Sequence, residues 1–141
     1  MITSFSGDYD FLSNFYAVPI EYEGEVYPSV EHAYQAAKTA CAADRQRIRD
    51  AATPGAAKRI GQTVVLTPDW YCRRERVMEC LLIQKFADPV LRQLLLATGE
   101  DKLVEGNYWG DTFWGVCRGR GSNRLGNILM SIRNGIRLGV L

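Results

Sequence analysis

A chain of 141 residues, 47% hydrophobic and 23% charged, has the composition of a globular protein and enough length to bury a core without metal or disulfide staples, which excludes wholesale disorder. Lys and Arg number 17 against 16 Asp and Glu, a formal charge of +1 that gives no global field for holding a nucleic-acid backbone, so any phosphate site must be local. A single domain over residues 1–141 is the simplest organisation.

Cys41, Cys72, Cys80 and Cys117 form no C-x-x-C pair, and with His32 as the one histidine there is no legible zinc set, so reduced, mostly buried thiols and no metal or cofactor are expected. The opening MITSFSGDYD lacks the basic and apolar regions of a signal peptide, and no apolar run approaches spanning length. A cytoplasmic protein with no membrane partner is the expectation.

In chain order, Met1 to Phe5 reads as a short strand and Gly7 to Asn14 as a polar loop. Ile20 to Tyr22 and Glu25 to Tyr27, either side of Glu23-Gly24, form a hairpin that brings Asn14 back toward Glu31. Pro28 and Ser29 then start a helix at Val30, in the stretch YPSVEHAYQAAK. At 100° per residue Val30, Ala33, Tyr34, Ala37 and Cys41 share an apolar stripe, and Glu31, Gln35 and Lys38 share the strip beside it. Glu31 and Lys38 are then two turns apart, about 10 Å along the axis. A solvated helix face would show the same residue types, and only the rest of the chain tips the balance.

Asp44 is positioned to cap a second helix (DRQRIRDAA), and Thr53-Pro54, Thr67-Pro68 and Asp88-Pro89 mark three further helix starts. The second of these three is the longest, Pro68 to Phe86, and the third stops at Gly99. Lys102 to Glu105 reads as a strand. From Gly106 the chain turns glycine-rich and aromatic, GNYWGDTFWGVCRGRGSNRLG, before an amphipathic helix on Leu125, Ile128, Leu129, Ile132 and Ile136 that starts near Ser122 or Asn123. The class is α+β: helix-rich with a few short strands.

Two constellations carry possible chemistry. The Arg118 to Arg124 loop runs into a helix N-terminus, where backbone N–H groups and the guanidinium groups of Arg120 and Arg124 suit an anion; it has neither a Walker lysine nor a Rossmann setting. Trp109, Phe113 and Trp114 around Asp111 suit a planar base and positive charge on a sugar, although one of the two tryptophans is expected to be a core anchor. Trp70 is read as packing and His32 as a structural hydrogen-bonding residue. Acid, amide, amine, aromatics and anion nest together suit a nucleotide-like ligand. Glu31, Asp111 and Lys38 equip such a site to cleave an N-glycosidic bond.

The segments FLSNFY, YPSVEHAYQAAK, KLVEGNYWGDTFWG and GRGSNRLGNILMSIR resemble the NADAR superfamily, which includes the YbiA-like N-glycosidases, and they span almost the whole chain in order. The resemblance implies a helix-rich α+β catalytic domain that hydrolyses ribosyl N-glycosidic bonds without a metal. Implied substrates are phosphoribosylated pyrimidine intermediates of riboflavin synthesis, or ADP-ribose on guanine, possibly within nucleic acid. The family motifs fall here on Asn14, Glu31, Gln35, Lys38, Asp111, Trp114, Gly121, Asn123 and Gly126. The alternative is a non-catalytic sensor that binds ADP-ribose or NAD, against which three ionisable groups at one site weigh. The helix from Ser29 is expected to form one wall of the site and the Trp109 to Trp114 loop another. Two chemical routes remain: a carboxylate pair with Lys38 orienting the substrate, or Lys38 as a nucleophile that forms a Schiff base, the latter favoured because ordinary glycosidases need no amine.

Overall fold

The Glu23-Gly24 turn sets the first piece of architecture in the computed structural model, which describes residues 1–141. Both turn residues have positive φ, 47° and 85°, the primed-turn geometry that matches strand twist. Strands β1 (Ala17–Tyr22) and β2 (Glu25–Ser29) pair antiparallel across it, and the register slips between Ala17 and Ile20, where Pro19 has no N–H to give.

β2 runs directly into α1 (Val30–Ala37), as the Pro28-Ser29 signal predicts. The Ser29 hydroxyl accepts from His32 N at 3.1 Å and bonds His32 Nδ1 at 2.7 Å. His32 Nε2 lies 3.0 Å from the Ala51 carbonyl, which can only accept, so that nitrogen carries a proton. The histidine is structural, as expected. Glu31 N donates to the Asn14 carbonyl at 3.1 Å, which brings Asn14 to the start of the helix.

All eight residues of α1 are buried, because it packs against β1, β2, α2 (Ala42–Arg49), α3 (Pro54–Gly61) and α4 (Trp70–Lys85). Glu31 and Gln35 are therefore interior rather than marginal, and Lys38, at the C-cap, is half-buried. The helix also stops sooner than the apolar stripe suggests. Lys38 N and Thr39 N tighten to i−3 carbonyls, Arg73 Nη2 takes the Ala37 carbonyl at 3.0 Å, and Thr67 N takes that of Lys38 at 2.8 Å. Cys41 consequently leaves the stripe and is exposed at the N-cap position of α2, whose first turn, not its cap, holds Asp44. Thr53 caps α3 as predicted. α4 begins at Trp70 rather than Pro68, because Trp70 N closes a turn on the Thr67 carbonyl at 3.1 Å. It turns Trp70, Met78, Leu81 and Leu82 inward, so Cys72 and Cys80 face out. Of the four free thiols only Cys117 is buried, against the expectation of mostly buried cysteines.

These elements form one compact unit, Asn14–Lys85; Met1–Ser13 and Phe86–Leu141 form a second. In the latter, Gly7–Leu12 is a 3₁₀ segment rather than a loop, with Phe11 and Leu12 buried. The two strands expected at Met1 to Phe5 and Lys102 to Glu105 shrink to one parallel bridge between Ile2 and Leu103, since Gly106 N turns back onto the Thr3 and Val104 carbonyls. The parallel pair lies just beyond, β3 (Gly106–Asn107) with β4 (Val116–Cys117). Asp88 caps α5 (Pro89–Ala97) by accepting from Val90 N and Leu91 N, and Gly99 follows it with φ 63°. The last helix, α6 (Arg124–Arg137), buries Leu125, Leu129, Ile132 and Ile136 as its periodicity predicts. The class is α+β. No helix is long and apolar enough to cross a membrane.

Replacing Ser29 by Ala removes the cap of α1 and the partner of His32 Nδ1 together. It is expected to cost about 2 kcal/mol or more, against about 1 kcal/mol for the solvent-facing cap change Thr53→Ala. Urea unfolding of the two variants checks this, and equal midpoints would contradict the double role.

Candidate active site

In the unit Asn14–Lys85, the strip on α1 is a polar line inside an apolar helix. Glu31 is only 7% exposed, and Gln35, at 3%, donates from Nε2 to Glu31 Oε1 at 2.8 Å. A carboxylate accepts only, so this bond fixes the amide: Gln35 Oε1 points the other way and meets no donor. Asn14 has the same condition. Its Nδ2 reaches Met78 Sδ at 3.5 Å, and its buried Oδ1 has no hydrogen-bond partner.

Lys38 closes the strip at the C-cap of α1, half-buried, with Nζ 5.8 Å from the centre of the Tyr34 ring. Tyr34 in turn packs on the buried Trp70, ring centres 5.2 Å apart, so Trp70 is a packing residue, as expected. Burial pushes the Lys38 pKa below the ordinary lysine value; Glu31 pulls it up, and Lys58 and Arg74 push it down again. Glu31 and Lys38 therefore feel each other despite two turns of separation. Lys58 and Arg74 carried no sequence signal, since their effect depends on α3 and α4 packing on α1.

In the second unit Asp111 organises its own loop. Its Oδ1 accepts from Phe113 N at 3.1 Å and Trp114 N at 2.9 Å, while Asn107 brackets its backbone with two bonds, to the carbonyl at 2.8 Å and from the N–H at 3.1 Å. Phe113 and Trp114 meet edge to face at 4.8 Å, and the Arg124 guanidinium lies 4.7 Å from the centre of the Phe113 ring. Trp114 is half-buried, whereas Trp109 is exposed beside Tyr108.

Much of the expected nest of free N–H groups is already used within the protein. Ser122, Asn123, Arg124 and Leu125 donate to the carbonyls of Thr112, Gly115, Phe113 and Trp114 at 2.8 to 3.3 Å, so the donors at the start of α6 serve the aromatic loop. Asn123 sits in the left-handed region at φ 50°; its Oδ1 accepts from Glu105 N and its Nδ2 donates to the Leu103 carbonyl. Gly121 combines φ 148° with a place where a Cβ would lie 2.1 Å from the Gly115 carbonyl, so it is a seat for backbone. A groove of about 790 Å³ opens nearby, lined by Lys102, Tyr108, Arg118, Ser122 and Asn127 among others. Arg120 is exposed. No group of three or more His, Cys, Asp or Glu side chains is placed to hold a metal ion.

Residues 4–137 match the family profile described as the NADAR domain. The chain is 41% identical over 134 residues to N-glycosidase YbiA of Escherichia coli (strain K12), covering 92% of this chain and 83% of that protein. It is 37% identical over 136 residues to an N-glycosidase of Nostoc punctiforme, covering 92% and 86%. A riboflavin biosynthesis protein of Vibrio vulnificus is 37% identical over 131 residues, which cover 89% of this chain and 35% of that one. The NMR structure of E. coli YbiA superposes with a TM-score of 0.85 at 39% identity, over 98% of this chain and 84% of that one.

Because Asn123 combines a left-handed backbone with two side-chain bonds, Asn123→Ala is expected to be less stable than Asn123→Gly by about 1 kcal/mol. Both lose the bonds, but only alanine carries a Cβ into that conformation. Chemical denaturation of the pair measures the difference, and the reverse order would contradict it.

Proposed function

We propose, on the premise that this chain belongs to the NADAR domain family, that it is an N-glycosidase, hydrolysing the ribosyl N-glycosidic bond of a phosphorylated nucleotide-like substrate without a metal. The observation that carries the reading is the interior strip of α1, where a buried carboxylate and a lysine with weakened hold on its proton share one helix. The names of the E. coli and Nostoc relatives support the bond type, and that of the Vibrio relative favours a riboflavin intermediate over ADP-ribosyl guanine. A binding module needs no such amine, so nothing favours the sensor reading.

The lysine route uses the strip most fully. The Lys38 free amine attacks the sugar C1 as the C1–N bond breaks, and the base leaves with the electron pair and takes a proton from solvent. Ring opening moves the amine proton to the ring oxygen and leaves an imine. Water adds to the imine, directed by Glu31, and expels Lys38 as the sugar aldehyde forms. Asn14 Oδ1, buried without a donor, accepts from a sugar hydroxyl.

Incubation with both substrate types, scoring free base and free sugar, tests the activity, and turnover that persists in a chelator tests metal independence. Borohydride present during turnover should trap a sugar on Lys38, and Lys38→Arg should be nearly inactive. Full turnover by that variant with nothing trapped would leave only the carboxylate route. The rate should rise with pH through a pKa below the ordinary lysine range, because the free amine is the reactive form. The linked stability effect has a definite sign. The unfolded lysine keeps its proton to higher pH than the folded one, so the penalty is full below the folded pKa and fades as pH rises toward the unfolded value. Lys38→Met should therefore match or exceed the parent Tm at neutral pH while abolishing turnover, and a marked fall in Tm would contradict the burial argument. Asn14→Ala should raise KM about tenfold through the lost hydroxyl contact; an unchanged KM would remove Asn14 from the sugar site.

A further inference from the structure

Gly61 ends α3 in a stretch without any motif, and its backbone gives no reason for glycine. Its φ is not in the left-handed region, and at a helical position alanine is the more favourable residue. The reason lies across the contact with α1. A Cβ at Gly61 would stand 1.9 Å from Gln35 Oε1, 2.7 Å from its Cδ and 3.0 Å from its Cβ. The bare Cα is thus the floor on which the Gln35 amide rests, and it faces the one polar atom of that side chain without a hydrogen-bond donor. The opposite end of the amide donates to Glu31 at 2.8 Å.

We propose that Gln35 is a positioning residue for the Glu31 carboxylate rather than a ligand contact, and that Gly61 is the specific requirement for that position. The inference rests on the reading of Glu31 as a catalytic group, and it assigns the orienting device for it. Gln35 is 3% exposed, so an added methyl at Gly61 leaves the amide no lateral room. The side chain must rotate about its own bonds, and rotation withdraws Nε2 from Glu31. The closest atoms, Oε1 and Cδ, lie on a flexible side chain that can swing away, so the main cost to the fold is the lost bond to Glu31, offset in part by alanine in the helix. The carboxylate loses its fixed donor, and with it the orientation that proton transfer needs.

The test is Gly61→Ala in the full chain, alone and combined with Gln35→Ala. In ¹⁵N-labelled protein the Gln35 side-chain NH₂ should be shifted and slow to exchange in the parent, and should move to exposed, fast-exchanging positions in Gly61→Ala. Turnover should show kcat down about tenfold or more with KM little changed, as for Gln35→Ala itself. In the Gln35→Ala background Gly61→Ala should cost nothing further, because there is no amide left to displace. An unmoved NH₂ signal, full kcat in Gly61→Ala, or an equal loss in both backgrounds would each overturn the inference. These outcomes are separable from failure of the catalytic reading, which would show as full activity in Glu31→Gln while the NH₂ signal still moves.

Discussion

A carboxylate buried in a helix that packs on five other elements is the constraint that shapes the unit Asn14–Lys85. Moving a carboxylate out of water costs several kcal/mol even after relaxation, so the fold must return most of that locally. Glu31 lies in the first turn of α1, where the helix dipole favours negative charge by roughly 0.3–1 kcal/mol. A hydrogen bond from Gln35 to the charged oxygen adds about 1.5–3 kcal/mol. The start of α1 is held firmly enough for these contributions to count: Ser29 caps it, His32 ties it to Ala51, and Asn14 accepts from Glu31 N. The hairpin turn is tied in as well, through Arg45 to Glu23 at 2.7 Å, and Arg45 also reaches the Thr39 carbonyl at 2.7 Å just past the helix.

The other unit solves a different problem. A glycine-rich segment has little side-chain surface to bury, so its order must come from backbone pairing and from a few committed side chains. Four successive N–H groups at the start of α6 are matched to the carbonyls of residues 112–115, and Asp111 and Asn107 lock the turn that presents those carbonyls. Asn123 ties the same corner to Leu103 and Glu105. Glycine at 121 follows from this arrangement, because two backbones meet there at a distance that no Cβ would allow.

What the sequence shows and hides follows from the range of each interaction. Ser29, Thr53 and Asp88 announce their helices because a cap acts within three residues of itself. The 100° arithmetic likewise places Glu31 and Gln35 correctly on one strip, since both lie in one regular helix. The end of α1 is not legible in the same way. It depends on Thr67 N and Arg73, which lie 29 and 35 positions beyond Lys38, and so the apolar stripe runs on through Cys41 in the sequence but not in space. The arginine-glycine loop is hard to read for the same cause: its residue types suit an anion, and only the pairing with residues 112–115 shows that the amides of Ser122, Asn123 and Arg124 at its helix end are already used. Gly61 has no motif around it at all. Its meaning is a single distance to a side chain 26 positions away.

Lys38 shows how these local choices add up. It stands at the C-terminal end of α1, where a cation is favoured, its ammonium faces the Tyr34 ring, and Glu31 attracts it. Each of these acts to keep the proton on. The pKa is nevertheless lowered, because burial, with the repulsion of Lys58 and Arg74, outweighs the attraction of Glu31. An arrangement optimised only for stability would let so long a side chain reach water. Here Arg73 and Thr67 hold the backbone around Lys38 by the carbonyls of Ala37 and Lys38 itself, and the side chain leaves it half-buried. The same packing that makes the lysine's charge costly to the fold eases the loss of its proton.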